Sequence, residues 1–255
     1  MMSQQLIGGI GEQQKDNLCG PFWAARILRE FGIAAWAGES IDEDLIALRA
    51  GSVLPDDPAE ASVPQGATNR TDYRFELPVV PAAESGTAAG ALAGAIEAAS
   101  ENALCCVPLR GPWAAEPVEH LVERGRRVGA RLIANGQTGL LWGSRPPHEA
   151  LLAELDGRPA PDTPPDWDAG HFFELSLLLR GPGGTLVLVR DSYPTLGWSG
   201  EHLQPPRTVA AALVRDDGRE GGVLAVVPAA GSAAMKELAR ELALEVGIWD
   251  NGTRR

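Results

Sequence analysis

The segment from Cys19 to Gly32 places apolar residues at helical spacing, which predicts a buried helix. Pro21 falls in the first turn of this helix, where its missing N–H is of no consequence, and Gly32 suits the position that follows the last turn. Cys19 is therefore expected at the helix N-terminus or just before it.

The same patterns predict further helices and a set of short strands. The helices cover residues 40–50, opened by a Ser40/Glu43 capping box, and residues 87–100, 117–126, 147–155 and 232–246. The strands cover residues 103–109, 130–134, 139–142, 171–179, 185–190, 208–214 and 222–227, with one more near 73–77. Residues 51–85 are rich in Pro, Asp, Ser and Ala, and this composition indicates a long irregular stretch.

Two hairpins are expected in the last third of the chain. Strands 171–179 and 185–190 are joined by a glycine-rich loop, and strands 208–214 and 222–227 are joined through Asp216-Asp217-Gly218. Helices come first and antiparallel strands last, with no regular alternation of strand and helix. The predicted fold class is therefore α+β.

The formal net charge of −12 argues against non-specific binding to nucleic acid or to an anionic membrane, because both need a surplus of Lys and Arg. A neutral or cationic partner fits this charge better. The first residues lack a basic region followed by a long apolar run, so no signal peptide is recognised and a cytoplasmic location is expected.

The chain has three cysteines and four histidines, and their spacing is typical neither of a disulfide framework nor of a metal site. Cys105 and Cys106 are neighbours on a predicted strand, so their side chains should point to opposite faces of a sheet. His120 falls on a predicted helix, His148 in a turn and His202 in a loop, and none is assigned a role. No metal or cofactor is expected.

Cys19 is the cysteine best placed for chemistry, because the free N–H groups and the positive end of a helix dipole favour a thiolate. His171 opens an apolar strand after a loop and is a candidate base for that thiol. Asp191 ends the second strand of the same hairpin, so antiparallel pairing brings it near His171, where it would orient the imidazole. Each residue also has an ordinary structural interpretation: a packed thiol, a structural histidine and a turn aspartate.

A glutamine precedes the cysteine in a polar stretch, EQQKDN, that should form an exposed loop. Gln13 lies six residues before Cys19 (19 − 13 = 6), and its amide could join the Cys19 backbone N–H in donating hydrogen bonds to an oxyanion. Gln14 is the alternative for this role, and either side chain could instead be solvated.

Three segments together resemble the papain-like cysteine peptidases, and within them the bacteriocin-processing, double-glycine-leader peptidases and their free-standing relatives: QQKDNLCGPFWAARIL, GHFFELSLLL and VLVRDSYPTLGW. The resemblance implies that Gln13 is the oxyanion donor, Cys19 the nucleophile, His171 the general base and acid, and Asp191 the residue that orients His171. That family usually has Asp directly before Pro, whereas two residues separate Asp191 from Pro194 here.

The resemblance also implies a fold, an activity and a cleft near Trp23 and Trp198, which are the expected substrate-binding residues. The fold is a single papain-like domain over residues 1–255, in which an N-terminal helical part with a central Cys-bearing helix packs on a C-terminal antiparallel sheet, with a variable insertion at about 50–157. The expected activity is cleavage of a peptide or modified peptide through an acyl-enzyme on Cys19. Acyl transfer, ligation or cyclisation by the same site on a peptide or small acyl substrate is an alternative, as is a catalytically silent peptide-binding protein.

Overall fold

An antiparallel sheet of seven strands lies at the centre of the protein. This architecture comes from a computed structural model, which describes residues 11–161 and 163–254. The protein therefore has the mixed α and β structure that the sequence predicts, with helices and strands interspersed along the chain rather than separated.

The described helices and strands have the following bounds. The helices are α1 (Cys19–Glu30), α2 (Glu43–Ala50), α3 (Ala89–Ala99), α4 (Ala115–Arg127), α5 (His148–Leu155), α6 (Pro206–Val214) and α7 (Ser232–Glu241). The strands are β1 (Ala35–Trp36), β2 (Glu39–Ser40), β3 (Leu54–Pro55), β4 (Val79–Val80), β5 (Leu104–Arg110), β6 (Arg131–Gln137), β7 (Gly170–Arg180), β8 (Thr185–Arg190), β9 (Glu201–Gln204), β10 (Gly222–Pro228) and β11 (Glu245–Val246).

Helices cover both faces of the large sheet, and the alternation of side chains along β10 shows how. Val223, Ala225 and Val227 pack into a core formed with α4, α6 and α7. Leu224 and Val226 point the other way, into a second core formed with α1, α2 and α3. Successive side chains of a strand point to opposite faces, so an almost wholly apolar strand fits a sheet that is buried on both sides.

The adjacent cysteines of β5 follow the same rule, as predicted. Cys106 is buried in the core beneath α1 and α3, and burial raises the pKa of its thiol far above the ordinary value. Cys105 faces the other core, where its sulfur donates a hydrogen bond to Ser232 Oγ at 3.3 Å. Neither position is a disulfide partner of the other.

The first predicted hairpin is confirmed as β7 and β8, joined by residues 181–184. This loop packs on the C-terminal end of α5. The backbone N–H groups of Gly183 and Gly184 donate hydrogen bonds to the carbonyl oxygen of Leu155 at 2.9 and 3.0 Å. The carbonyl of Leu155 has no partner inside α5, because it lies in the last turn of that helix, and the hairpin loop supplies donors for it.

Several predicted elements are wrong. Residues 208–214 belong to helix α6 instead of a strand, so the second hairpin is absent, and a short 3₁₀ turn at Thr138–Leu140 stands where strand 139–142 was expected. Residues 73–77 form no strand, and the predicted helix at 40–50 begins only at Glu43. Its cap is Asp42, whose side chain accepts a hydrogen bond from the Leu45 N–H at 2.8 Å, rather than Ser40.

The segment at 50–157, predicted to be a variable insertion, contributes strands β5 and β6 to the central sheet, whose strand order is β11-β5-β10-β6-β7-β8-β9. Within residues 11–161 and 163–254, no helix is both long and apolar enough to cross a membrane. The same residues contain no group of three or more His, Cys, Asp or Glu side chains arranged to hold a metal ion. The first ten residues, on which the expectation of no signal peptide mainly depends, lie outside the described part.

Candidate active site

The β7–β8 hairpin brings His171 and Asp191 together. His171 is the second residue of β7 and Asp191 directly follows β8, so the antiparallel register sets the two side chains close to each other. His171 Nε2 lies 3.2 Å from Asp191 Oδ1, and each residue is only 1% exposed. The pair is thus a buried acid–base contact at one end of the hairpin.

Asp191 is held as a carboxylate in this pair. Its Oδ1 also accepts a hydrogen bond from the Tyr193 N–H at 3.0 Å, which fixes the orientation of the carboxyl group. Burial acts to raise the pKa of Asp191, but the charge of His171 and the hydrogen bonds outweigh burial and lower that pKa below its ordinary value. The result is a negative charge beside the imidazole.

Cys19 lies near the same imidazole, on helix α1, which packs against β7. It is the first residue of α1, and Gly20 lets this helix approach β7 closely, because a Cβ at Gly20 would lie 3.2 Å from Phe172. Burial of His171 disfavours its charged form, but the Asp191 carboxylate and the nearby Cys19 sulfur overcome this penalty and raise the pKa of His171 to about 10. Because Nε2 faces Asp191, Nδ1 is the ring nitrogen left for Cys19.

Two aromatic side chains enclose the imidazole. The rings of Trp167 and His171 meet edge to face with centroids 4.9 Å apart, and the Tyr193 ring stacks on His171 at 5.8 Å. Trp167 Nε1 donates a hydrogen bond to Ser62 Oγ at 2.6 Å, which anchors the indole to the preceding irregular stretch. These rings limit the access of water to the His171–Asp191 pair, which strengthens its electrostatic interaction.

Sequence reasoning missed both aromatic residues. Tyr193 follows Asp191 by two positions and Trp167 precedes His171 in a loop rich in Pro and Asp, so their closeness in sequence to the two predicted residues was the available signal. Their contact with the imidazole depends on the loop conformation, which the hydrophobic pattern does not specify.

The two glutamines occupy different environments. Gln13 is partly exposed, and its Nε2 donates a hydrogen bond to the Thr68 carbonyl at 2.5 Å. Gln14 is buried, with Nε2 3.1 Å from the Tyr193 hydroxyl and Oε1 accepting a hydrogen bond from Ser192 Oγ. Gln14 is therefore committed to the loop that carries Asp191, whereas Gln13 retains an amide hydrogen beyond the one that Thr68 accepts.

A segment from the irregular stretch clamps the loop before Cys19. Asp16 is the centre of this contact: its carboxylate accepts hydrogen bonds from the Asn69 side chain at 3.0 Å and from the Arg70 N–H at 3.1 Å. The Tyr73 hydroxyl donates to the Asp16 carbonyl, and the Arg70 guanidinium donates to the Gln13 carbonyl. Residues 68–73 thus position the loop that holds both glutamines, a role that their composition alone does not reveal.

The two tryptophans predicted to bind substrate lie in different surroundings. Trp23 is fully buried within α1, packs edge to face on Phe22, and has the Arg190 guanidinium over its ring, so a substrate cannot contact it there. Its role is packing, which corrects the expectation. Trp198 is 53% exposed on the turn before β9 and remains available to a ligand.

Comparison with known proteins gives one match. A protein-family model described as a family of unknown function, DUF6885, matches residues 10–250, which is nearly the whole chain, and the protein belongs to that family. Neither the curated proteins nor the solved structures contain a match.

Proposed function

We propose that this member of the DUF6885 family is a papain-like thiol hydrolase that cleaves a peptide or modified peptide through an acyl-enzyme on Cys19. The observation that carries the proposal is the buried contact of His171 with Asp191, close to Cys19 at the N-terminus of α1. An imidazolium and a helix N-terminus both favour a thiolate, which is the nucleophilic form of cysteine.

In the proposed reaction the Cys19 thiolate attacks the substrate carbonyl and forms a carbon–sulfur bond. The oxyanion that results accepts hydrogen bonds from the Cys19 backbone N–H, which has no partner inside the helix, and from the Gln13 amide. The His171 imidazolium then gives its proton to the leaving amine as the carbon–nitrogen bond breaks. Neutral His171 next removes a proton from water, and the hydroxide releases the acid and restores the thiolate–imidazolium pair.

Acyl transfer to an amine is a second candidate, favoured by the burial of His171 beneath Trp167. A site that limits water leaves the thioester on Cys19 open to capture by an amine instead. The mass of the product separates the two reactions, because hydrolysis adds water to the acyl group and transfer adds the amine acceptor.

The first prediction compares two cysteines within one protein. Cys19 and Cys105 are both partly exposed, but only Cys19 lies beside an imidazole, so iodoacetamide near neutral pH should alkylate Cys19 faster by about tenfold or more. Peptide mapping by mass spectrometry gives both rates from one sample. In addition, p-nitrophenyl acetate should leave an acetyl group on Cys19.

The matched variants are Asp191→Asn and Asp168→Asn. Asp191→Asn removes the charge that raises the pKa of His171, and the alkylation of Cys19 should slow towards the rate of Cys105. Asp168 lies in the loop before β7 but contacts Gln137 and the Gly139 N–H, so its variant should alkylate like the wild type. Equal rates at Cys19 and Cys105 in the wild-type protein would overturn the proposed nucleophile.

A further inference from the structure

A second histidine, His202, lies near the His171–Asp191 pair, on strand β9. His202 is 2% exposed, and Gln204 Nε2 lies 2.9 Å from its Nδ1. The sequence pattern placed His202 in a loop with no role, and the structure corrects this: it is a strand residue of the central sheet. Its position one strand beyond β8 brings it near Asp191, with which it lines a small cavity.

The protonation state of His202 follows from its neighbours. The Gln204 amide is oriented by the Trp142 backbone, whose N–H donates to Oε1 at 2.8 Å and whose carbonyl accepts from Nε2 at 2.9 Å. Gln204 Nε2 can only donate, so His202 Nδ1 accepts and the ring proton lies on Nε2. Burial lowers the pKa of His202, which keeps this ring neutral.

The Nε2–H of His202 has no hydrogen-bond partner among the described residues, although it is fully buried. It belongs to the lining of a small cavity of about 20 Å³, which Asp191 and Asp166 also line. A buried donor without a partner is costly, and a cavity of this size with polar groups in its walls has room for one water molecule. The charged or titratable groups that face His202 are Asp191, Asp166 and His171.

Asp191 supplies an acceptor for such a water. Its Oδ1 is already used by His171 and by the Tyr193 N–H, whereas no donor from the described residues reaches Oδ2. A buried carboxylate oxygen also needs a donor. One wall of the cavity thus carries a hydrogen-bond donor, His202 Nε2–H, and another carries an acceptor, Asp191 Oδ2.

We propose that His202 is a positioning residue for Asp191, acting through one water molecule that bridges His202 Nε2 and the second carboxylate oxygen of Asp191. The inference rests on the proposed function, because it assigns His202 to the site that contains Cys19. Gln204, His202, the water and Asp191 then form a chain of hydrogen bonds that holds the carboxylate in the plane of the His171 ring. A donor on Oδ2 also stabilises the charged form of Asp191.

The wild-type protein provides the first test. In protein labelled with ¹⁵N-histidine, NMR at neutral pH should show His202 as a neutral ring with its proton on Nε2, and that proton should give a nuclear Overhauser effect to a bound water. A proton on Nδ1, a charged His202 or an Nε2–H without contact to water would contradict the proposal. This readout does not require an active enzyme or a folded variant.

The second test uses His202→Leu, which removes the donor, and His202→Gln, which keeps an N–H near the position of Nε2. The rate of Cys19 alkylation by iodoacetamide is measured against pH, together with the thermal stability of each variant. On the acid side of this profile, the acid midpoint is the pH at which the alkylation rate falls to half of its maximum. Loss of the donor should raise this midpoint by about one pH unit in His202→Leu, and His202→Gln should restore most of the wild-type value. Asp166→Asn serves as the control, because Asp166 lines the cavity and its Oδ2 already accepts from the Ser144 N–H.

Equal acid midpoints in the wild type and His202→Leu, or equal shifts in the Leu and Gln variants, would show a structural role only. A shift in Asp166→Asn as large as that in His202→Leu would assign the water to Asp166 instead and so overturn the proposal. Failure of the proposed function has a different signature, because Cys19 would then react no faster than Cys105 in the wild-type protein. The NMR experiment would still report the tautomer of His202 and its contact with water, independently of Cys19.

Discussion

Gln13 and Gln14 are neighbours in sequence with separate roles in the site. Gln14 bonds to Ser192 and Tyr193 inside the protein, while Gln13 lies at the surface against Thr68. Gln13→Ala should therefore slow the acylation of Cys19 by p-nitrophenyl acetate by about a hundredfold, because it removes the proposed oxyanion donor. Its free energy of unfolding in urea should change little.

Gln14→Ala is the matched comparison. It removes the hydrogen bonds that Gln14 makes with the buried Ser192 and Tyr193 hydroxyl groups, so the free energy of unfolding should fall by about 1–3 kcal/mol. A large loss of acylation rate in Gln14→Ala at unchanged stability, with a normal rate in Gln13→Ala, would reverse the assignment of the oxyanion donor.

The sequence predicts the contact of His171 with Asp191 because the signals are local. A four-residue loop between two apolar strands is enough to bring the ends of a hairpin together. Trp167, Gln14 and His202 come to lie around the same pair through loops or through other strands, and no spacing along the chain encodes their positions. The buried location of Trp23 was missed for the same reason, since a helical tryptophan fits a core and a cleft equally well.

The β7–β8 loop packs closely against the end of helix α5, with no space for a side chain at Gly184. A Cβ at Gly184 would lie 1.9 Å from the backbone oxygen of Glu154, and the helix cannot yield as a flexible side chain would. Gly184→Ala should therefore destabilise the protein by about 1–3 kcal/mol, measured by urea unfolding. Because the hairpin also carries His171 and Asp191, the alkylation of Cys19 should slow as well.

Gly94→Ala is the control for this substitution. Gly94 lies within α3, and a Cβ there would have no neighbour within 4 Å. Alanine in a helix interior is better than glycine, so this variant should gain about 0.5–1 kcal/mol. Equal changes in the free energy of unfolding in the two variants would show that the close packing of the loop on α5 does not contribute to stability.

Helix α6 shows why one element was predicted wrongly. Its sequence, PRTVAAALV, contains β-branched and apolar residues that also suit a buried strand. The stronger signal was Pro205-Pro206, since proline is favoured in the first helical turn. Burial of Val209, Ala210, Ala212 and Leu213 on one side then settles the helical conformation.

The whole molecule should have a pH-dependent stability that comes partly from Glu43. Burial raises the pKa of this carboxyl to about 7, despite the Lys15 N–H and Arg70 nearby. A folded-state pKa above the unfolded value of 4.5 stabilises the protein fully below about pH 4.5, and this contribution is lost as the pH rises through about 7. The free energy of unfolding should fall by at most ~3 kcal/mol over that range.

Glu43→Gln should remove most of that decline when urea unfolding is compared at about pH 5 and about pH 8. The amide still offers an oxygen to the Lys15 N–H, so the local structure is kept. Glu39→Gln is the control, because Glu39 is well exposed and should leave the decline unchanged. The interpretation fails if the wild type and Glu43→Gln lose the same stability.

The division of the proposed site between α1 and the β7–β8 hairpin determines when the site can assemble during synthesis of the protein. Domains form as the ribosome delivers the chain from the N-terminus, so the helix with Cys19 is synthesised well before the hairpin with His171 and Asp191. Until the hairpin and β9 have joined the sheet, the Cys19 thiol lacks its proposed base, His171. Catalytic competence would therefore appear late in biosynthesis, and a nascent chain would be protected from its own nucleophile.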